Sequence, residues 1–245
     1  VLEKEQYLDN KTICRTIKRY RRGKGLKEEE DYIICENGYK VWVDNHFYGS
    51  FYCTPEYLEE LVIGNLAING KIKNCREIND IIINNDEIKV FLNNSSFIPG
   101  PDNNRKGADF FVYAEDILGL MEKHLQISEL HKMTGAVHVM SIADKDSILV
   151  TREDVGRHNA VDKVYGYCLQ KGISLEDKLL LSSGRITHEI CYKAFNMGLK
   201  FLVSRAAVTS MAVEFALAHD MTVIGFTREE RFNIYTGTRR VKLKN

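Results

Sequence analysis

The reading of this chain turns on Thr151–Lys163, "TREDVGRHNAVDK". The segment follows an apolar run, "SILV", and leads into a helical pattern. Its thirteen residues hold three acids, two arginines, a histidine, an asparagine and a lysine. A strand that turns into a helix needs a cap, and this is far more polarity than a cap requires. In an α/β sheet such a junction lies where ligands bind, outside the carboxyl ends of the strands.

The segments around it support a sheet of that kind. Downstream, "NAVDKVYGYCLQKG" reads as a helix with Val161, Val164, Tyr165, Cys168 and Leu169 inward and Gly172 past its end. Strand "KLLLSS", helix "THEICYKAFNMG", strand "KFLVS", helix "TSMAVEFALAHD" and strand "MTVIGF" follow. The last of these helices is apolar nearly all round, which predicts deep burial. Upstream, "AVHVMSIA" and "SILVT" are joined by the turn "DKD" and are expected to be antiparallel neighbours. Before them "AEDILGLMEKHLQISELHKMTG" is helical, with Ile117, Leu120, Met121 and Leu125 on one face. Strands alternating with crossover-length helices predict βαβ units and a mixed, largely parallel sheet.

Four loops at the carboxyl ends of those strands can be read off: "TREDVGRHN", "SSGRIT", "SRAAVTS" and "FTREERFN". Each carries arginine, namely Arg152 and Arg157, Arg185, Arg205, then Arg228 and Arg231. Three of the loops open helices, whose first-turn N–H groups favour an anion. Gly156 and Gly184 would let backbone approach a ligand closely. Ser182, Ser183, Thr187, Ser204 and Thr209 are candidate hydroxyl donors, although capping explains each of them equally well. The pattern suits a polyanion such as a nucleotide or pterin phosphate. Within the opening segment, Arg157 and His158 are expected to face the cleft, with Asp154 or Asp162 holding the basic groups in place.

Residues 31–92 read as a small α+β unit. "YKVWVDNHFYGSFYC" suggests a hairpin, and "EINDIIINNDEIKVFL" two further strands. Between them "TPEYLEELVIGNLAING" predicts a helix capped by Thr54, with Pro55 at its first position. Its apolar face would be Leu58, Leu61, Val62 and Leu66, and Gly70 its stop. Residues 1–30 hold seven Lys/Arg between Arg15 and Lys27, and the four acids Glu28, Glu29, Glu30 and Asp31 come next. That is expected to be an edge strand with a solvated basic face, or a docking surface for an acidic partner. The segment 93–109, "NNSSFIPGPDNNRKGAD", has two of the three prolines and four asparagines, which makes it the seam before a domain over 110–245.

Composition narrows the class. Lys+Arg and Asp+Glu balance at 34 each, so net charge suggests neither nucleic acid nor membrane. No apolar run approaches the roughly 20 residues that span a bilayer. "VLEKEQYLDN" lacks the basic-then-apolar order of a secretory signal, and a cytoplasmic protein is expected. The six cysteines include no C-x-x-C pair, so a thiolate zinc site is not expected. The order of elements matches a cytidine-deaminase-like, three-layer α/β fold. A zinc deaminase would show H-x-E and P-C-x-x-C, whereas His158 begins "HNA" and no cysteine pair follows.

"EDVGRHNAVDKV", "SSGRITHEICYKA", "TSMAVEFALAHDMTVIGFTR" and "FNIYT" resemble the FdhD family of formate dehydrogenase accessory proteins, and "TPEYLEELVIG" and "TGAVHVMSI" match it in order. The resemblance runs from about Tyr32 to Gly237. It implies a cytoplasmic sulfurtransferase with a cytidine-deaminase-like fold, generally working as a homodimer. Such a protein takes persulfide sulfur from a cysteine desulfurase and delivers it to the molybdenum bis-guanine-dinucleotide cofactor of formate dehydrogenase. The family's cofactor-binding segment maps onto Phe226, Thr227, Arg228, Glu229, Glu230 and Arg231. Asp154, Gly156, Arg157, His158, Ser183, Gly184 and Arg185 complete the expected cofactor-binding set.

In one place the chain departs from the family. A C-G-x-C-G-like loop, whose cysteine holds the persulfide, should follow the small N-terminal unit. Here "NNSSFIPGPDNNRKGAD" has no cysteine, so no catalytic residue is assigned. Persulfide exchange requires a thiolate. Two readings stay open. Either a cysteine-bearing loop is missing from this sequence, or the chain is a non-catalytic molybdenum-cofactor-binding chaperone. Cys168 and Cys191 read as inward-facing, and Cys53 adjoins a strand end, so none is a convincing substitute.

Overall fold

The computed structural model describes residues 6–93 and 110–244; the expected seam, but for Asn93, lies outside them. A hairpin of β2 (Thr12–Arg21) and β3 (Gly25–Ile34) begins the chain, with the short β1 (Gln6–Asp9) along the start of β2. β1 reaches only Thr12–Cys14, so the basic residues Arg15–Arg21 of β2 pair with β3 alone among the described residues. The acids that follow the basic run fold back beside it, so that Arg19 pairs with Glu29 and Asp31, and Arg21 with Glu29. β3 crosses position 30–31, where a division between units was expected.

β4 (Asn37–Val43), β5 (His46–Cys53), β6 (Ile78–Asn84) and β7 (Glu87–Leu92) make a four-stranded sheet ordered β5-β4-β7-β6. Helix α1 (Leu58–Ile68) packs on it through Leu61, Val62 and Leu66. The helix does not start at Thr54 and Pro55. Tyr57, in the left-handed region at φ 55°, is its N-cap, because Thr54 is bound to the other half of the molecule.

The C-terminal half has β8 (Val112–Tyr113), α2 (Ala114–Ile127), α3 (Glu129–Thr134), β9 (His138–Ala143), β10 (Ile148–Asp154), α4 (Arg157–Lys171) and β11 (Leu179–Ser182). It continues with α5 (His188–Asn196), β12 (Phe201–Ser204), α6 (Ser210–Ala218), β13 (Thr222–Arg228), β14 (Arg231–Thr236) and β15 (Val241–Lys242). The single helix expected before β9 is two helices. Ser128 ends α2, and its hydroxyl accepts the His131 N–H to cap α3.

The six-stranded sheet runs β10-β9-β11-β12-β13-β14 and is mixed. Only β11–β12 and β12–β13 are parallel, so the expectation of a largely parallel sheet is corrected. The connections explain this. α5 and α6 carry the chain back over the sheet between parallel neighbours, whereas β9–β10 and β13–β14 are joined by tight turns that reverse direction. β11 returns from α4 to the far side of β9 and so lies antiparallel to it.

Alternation along the strands loads both faces. Leu180, Leu202 and Val223 face α4, α5 and α6, while Leu179, Leu181, Phe201, Val203 and Ile224 face α2. The sheet is thus the middle of three layers. The deep burial expected for α6 is also corrected. Only Ala212 and Ala216 are buried, and Met211 and Leu217 are 60% and 65% exposed. Its alanines let the helix sit close to the sheet, Phe215 packs partly against the core, and Met211 and Leu217 are left outside.

Candidate functional site

Most of the charge in "TREDVGRHNAVDK" joins the two halves of the molecule. Asp154 and Lys163 are both 0% exposed and pair at 2.6 Å. Around them, Thr54 donates its N–H to Asp154 Oδ2, accepts the Val155 N–H on its hydroxyl, and accepts Lys163 Nζ on its carbonyl. Asp162, also buried, pairs with Lys193 at 2.6 Å and accepts Asn65 Nδ2 at 2.7 Å. Arg152 donates from Nε and Nη2 to Glu60 of α1, and its guanidinium lies over the rings of Tyr57 and Tyr167 at 4.0 and 4.5 Å. Neither Asp154 nor Asp162 holds Arg157, contrary to expectation. Each carboxylate is taken by a buried lysine, since an unpaired buried charge would be far more costly.

Glycine lets the two halves come this close. A Cβ on Gly64 of α1 would lie 1.8 Å from the Asp162 carbonyl oxygen, and one on Gly166 of α4 would lie 1.9 Å from that of Glu60. The helices therefore cross backbone to backbone. Gly156 and Gly184 also make room for protein. Their missing Cβ atoms leave space for Asn159 and for the His138 ring, respectively.

What remains for a ligand lies along the expected sheet edge. Asp154 and His138 are cross-strand partners, and Ser182 pairs with Ser204. The hydroxyls of Ser182 and Ser204 both donate to the Gly184 carbonyl, so they are not free ligand donors. Ser183 accepts the Val139 N–H. Arg185 is exposed, and Arg157 and His158 are half-buried at the start of α4. His158 Nε2 lies 3.3 Å from a Glu189 carboxylate oxygen. His138, missed in the sequence because it sits at the start of an otherwise apolar strand, packs against Gly184, next to Arg185, and lies across from Asp154. Burial first, then Arg157, His131 and Arg185, hold its pKa below the ordinary histidine value, with Asp154 opposing.

At the far end, Phe226 has φ 53° and donates its N–H to the Ala206 carbonyl. Thr227 is fully buried, and its hydroxyl has no partner among the described residues. Arg228 and Arg231 face each other across the turn made by Glu229 and Glu230, and all four are exposed. Four strand spacings separate the β10 and β13 ends, on the order of 19 Å. Arg157 and Arg228 therefore serve different parts of the edge, whereas Arg157, Arg185 and His138 form one group.

Three buried thiols are held in the unreactive, protonated form. Burial pushes Cys53, Cys168 and Cys191 up to about 12. No cluster of three or more His, Cys, Asp or Glu that could hold a metal ion is found among the described residues, and no helix among them is long and apolar enough to cross a membrane.

These features define a three-layer α/β domain, fixed to a small α+β unit by the Arg152–Glu60 ion pair and by hydrogen bonds of Thr54 and Asn65 with buried charged groups, with a cationic loop edge. Residues 96–242 match the FdhD/NarQ family, and the chain belongs to it. The sulfur carrier protein FdhD of Geobacillus kaustophilus is 33% identical, over 93% of this chain and 96% of its own. That of Bacillus subtilis is 33% identical, over 96% and 99%. A crystal structure of a Desulfotalea psychrophila protein proposed to be a formate dehydrogenase accessory protein superposes with a TM-score of 0.82 at 27% identity, covering 95% of this chain and all of the other.

Proposed function

We propose that this chain is a sulfur carrier for formate dehydrogenase maturation. In this reading it is a sulfurtransferase that takes persulfide sulfur from a cysteine desulfurase and passes it to the molybdenum bis-guanine-dinucleotide cofactor, held as substrate on the cationic edge. The observation that carries the reading is near-full-length similarity to relatives named sulfur carriers, on a chain whose loop edge bears arginines beside helix starts. The cytidine-deaminase-like arrangement, the homodimer and the cytoplasmic setting belong to the same reading.

Phe226–Arg231 and the Asp154–His158 and Ser183–Arg185 loops would contact the cofactor. Of these, the exposed Arg228, Arg231 and Arg185 can reach a phosphate, while Asp154 acts by holding Lys163 and the α4 start. Calorimetry with GDP tests the nucleotide part. Arg228→Ala or Arg231→Ala should each weaken binding by about 1.5–3 kcal/mol, the range for a lost charge-assisted hydrogen bond. Unchanged affinity in both variants would move the nucleotide elsewhere.

A second reading, a cofactor-binding chaperone without sulfur transfer, is supported by the buried state of Cys53, Cys168 and Cys191. The alignment to the Geobacillus protein spans 253 positions, more than the 245 residues here, so that relative carries residues without a counterpart in this chain. Mass spectrometry after incubation with a cysteine desulfurase and cysteine decides between them. A persulfide on any cysteine of the protein supports the carrier, and its absence with maturation intact supports the chaperone.

A further inference from the structure

Between the first turns of α4 and α5 lies a group of polar atoms that the fold leaves unmet. Arg157 Nε, His158 Nδ1 and Thr187 Oγ1 are shut off from solvent, with no hydrogen-bond partner among the described residues. Unsatisfied buried polar groups are rare in native proteins, and three at one junction call for an explanation beyond folding. The charge nearby is one-sided. Asp154 and Asp162 are taken up by Lys163 and Lys193. Glu189, 61% exposed, is the carboxylate paired with His158. Arg157 and Arg185 have no ion pair among the described residues, and His138 lies between their loops, opposite Asp154 in the sheet and against Gly184.

We propose that this junction is a subsite for a tetrahedral oxyanion of the phosphate type, bound by Arg157, His158 and Arg185, and that His158 takes up a proton from solution as the anion enters. Neutral imidazole donates from one nitrogen only. Protonated, it donates from Nε2 to Glu189 and from Nδ1 into the unmet region. Without an anion the balance is against the proton. Burial first, then Arg157, Lys193 and His138, lower the His158 pKa, and Glu189 opposes them. His138 is lowered in the same way, with His131 and Arg185 among its neighbours. An anion placed among these groups reverses the sign of the local field. The first-turn N–H groups of α4 and α5, helices of fifteen and nine residues, add to the attraction. The inference rests on the proposed function in that these loops belong to the cofactor edge, but it does not require sulfur carriage.

The test is calorimetric titration of the whole chain with sodium sulfate, which does not itself titrate near neutrality. It is run at pH 7 and constant ionic strength in two buffers of different ionisation enthalpy. Saturable binding is expected, with enthalpies that differ between the buffers in the sense of net proton uptake. Arg185→Gln, at an exposed position, should weaken binding by about tenfold or more, and His158→Gln should abolish the buffer dependence. Arg22→Gln, on the distant β2–β3 turn, should change neither. Absence of saturable binding, equal enthalpies in the two buffers, or unchanged affinity in both Arg185→Gln and Arg157→Gln would overturn the proposal. GDP binding that still depends on Arg228 in any of those cases would leave the proposed function standing, so the two can fail separately.

Discussion

Replacing Gly166 by alanine sets two effects of opposite sign against each other. In an exposed helix interior the change should stabilise, by about 1 kcal/mol of helix propensity. Here the added methyl would lie 1.9 Å from the Glu60 carbonyl oxygen and 2.6 Å from its carbon, both rigid backbone atoms of α1. Ordinary contact needs more than 3 Å, so the helices must separate by over 1 Å. That movement also loosens the Arg152–Glu60 pair, the Lys163 bond to Thr54 and the Asn65 bond to Asp162, all of which bridge the same interface. Overpacking alone costs about 1–3 kcal/mol, and stretching charge-assisted bonds adds to it. A net loss of about 2–4 kcal/mol is expected. Urea unfolding followed by circular dichroism reads it as a lower midpoint at unchanged slope. Gly64→Ala should behave alike, and the double variant should lose less than the sum, because one displacement relieves both clashes. A Gly166→Ala protein as stable as the parent, or more so, would refute the close crossing.

Removing one member of the buried Lys163–Asp154 pair, as in Lys163→Met, should cost about 3–5 kcal/mol, checked by the same unfolding assay. A loss under 1 kcal/mol would mean the pair is solvated. His124 is fully buried, and burial lowers its pKa to about 4. The unfolded chain therefore binds the extra proton first, and stability falls as pH drops from about 6.5 to about 4, by roughly 3 kcal/mol. His124→Gln should lack that portion, so the two proteins should converge in stability across this window in paired urea titrations; parallel curves would exclude the mechanism. Native-state thiol titration should leave Cys53, Cys168 and Cys191 unreacted until the protein unfolds, since only the thiolate reacts. Rapid labelling of any of the three would reopen them as sulfur carriers.

Local pattern was enough to place most elements. The apolar faces of α1 and α4, the β4–β5 and β9–β10 hairpins and the alternation of strands and helices after residue 148 all follow from residue spacing, because burial of one face is encoded at short range. The arginine-bearing loops were legible for the same reason, each being fixed by its own flanking strand and helix. Partner choice was not legible, since it joins residues far apart in the chain. Asp154 and Asp162 look like helix-start acids in sequence, yet they meet Lys163 and Lys193 in a dry interface with α1. Thr54 reads as a cap but serves as a bridge across about a hundred residues. Gly64 and Gly166 lie in helices, where nothing local calls for glycine; the approach of two backbones does. His138 joins the site only because β9 lies between β10 and β11. Sequence determined which segments become strands and helices and where charge gathers along the chain. Tertiary packing decided which of those charges are buried in pairs and which are left without an ion pair at the sheet edge, because desolvation depends on what lies opposite and not on what lies next in the chain.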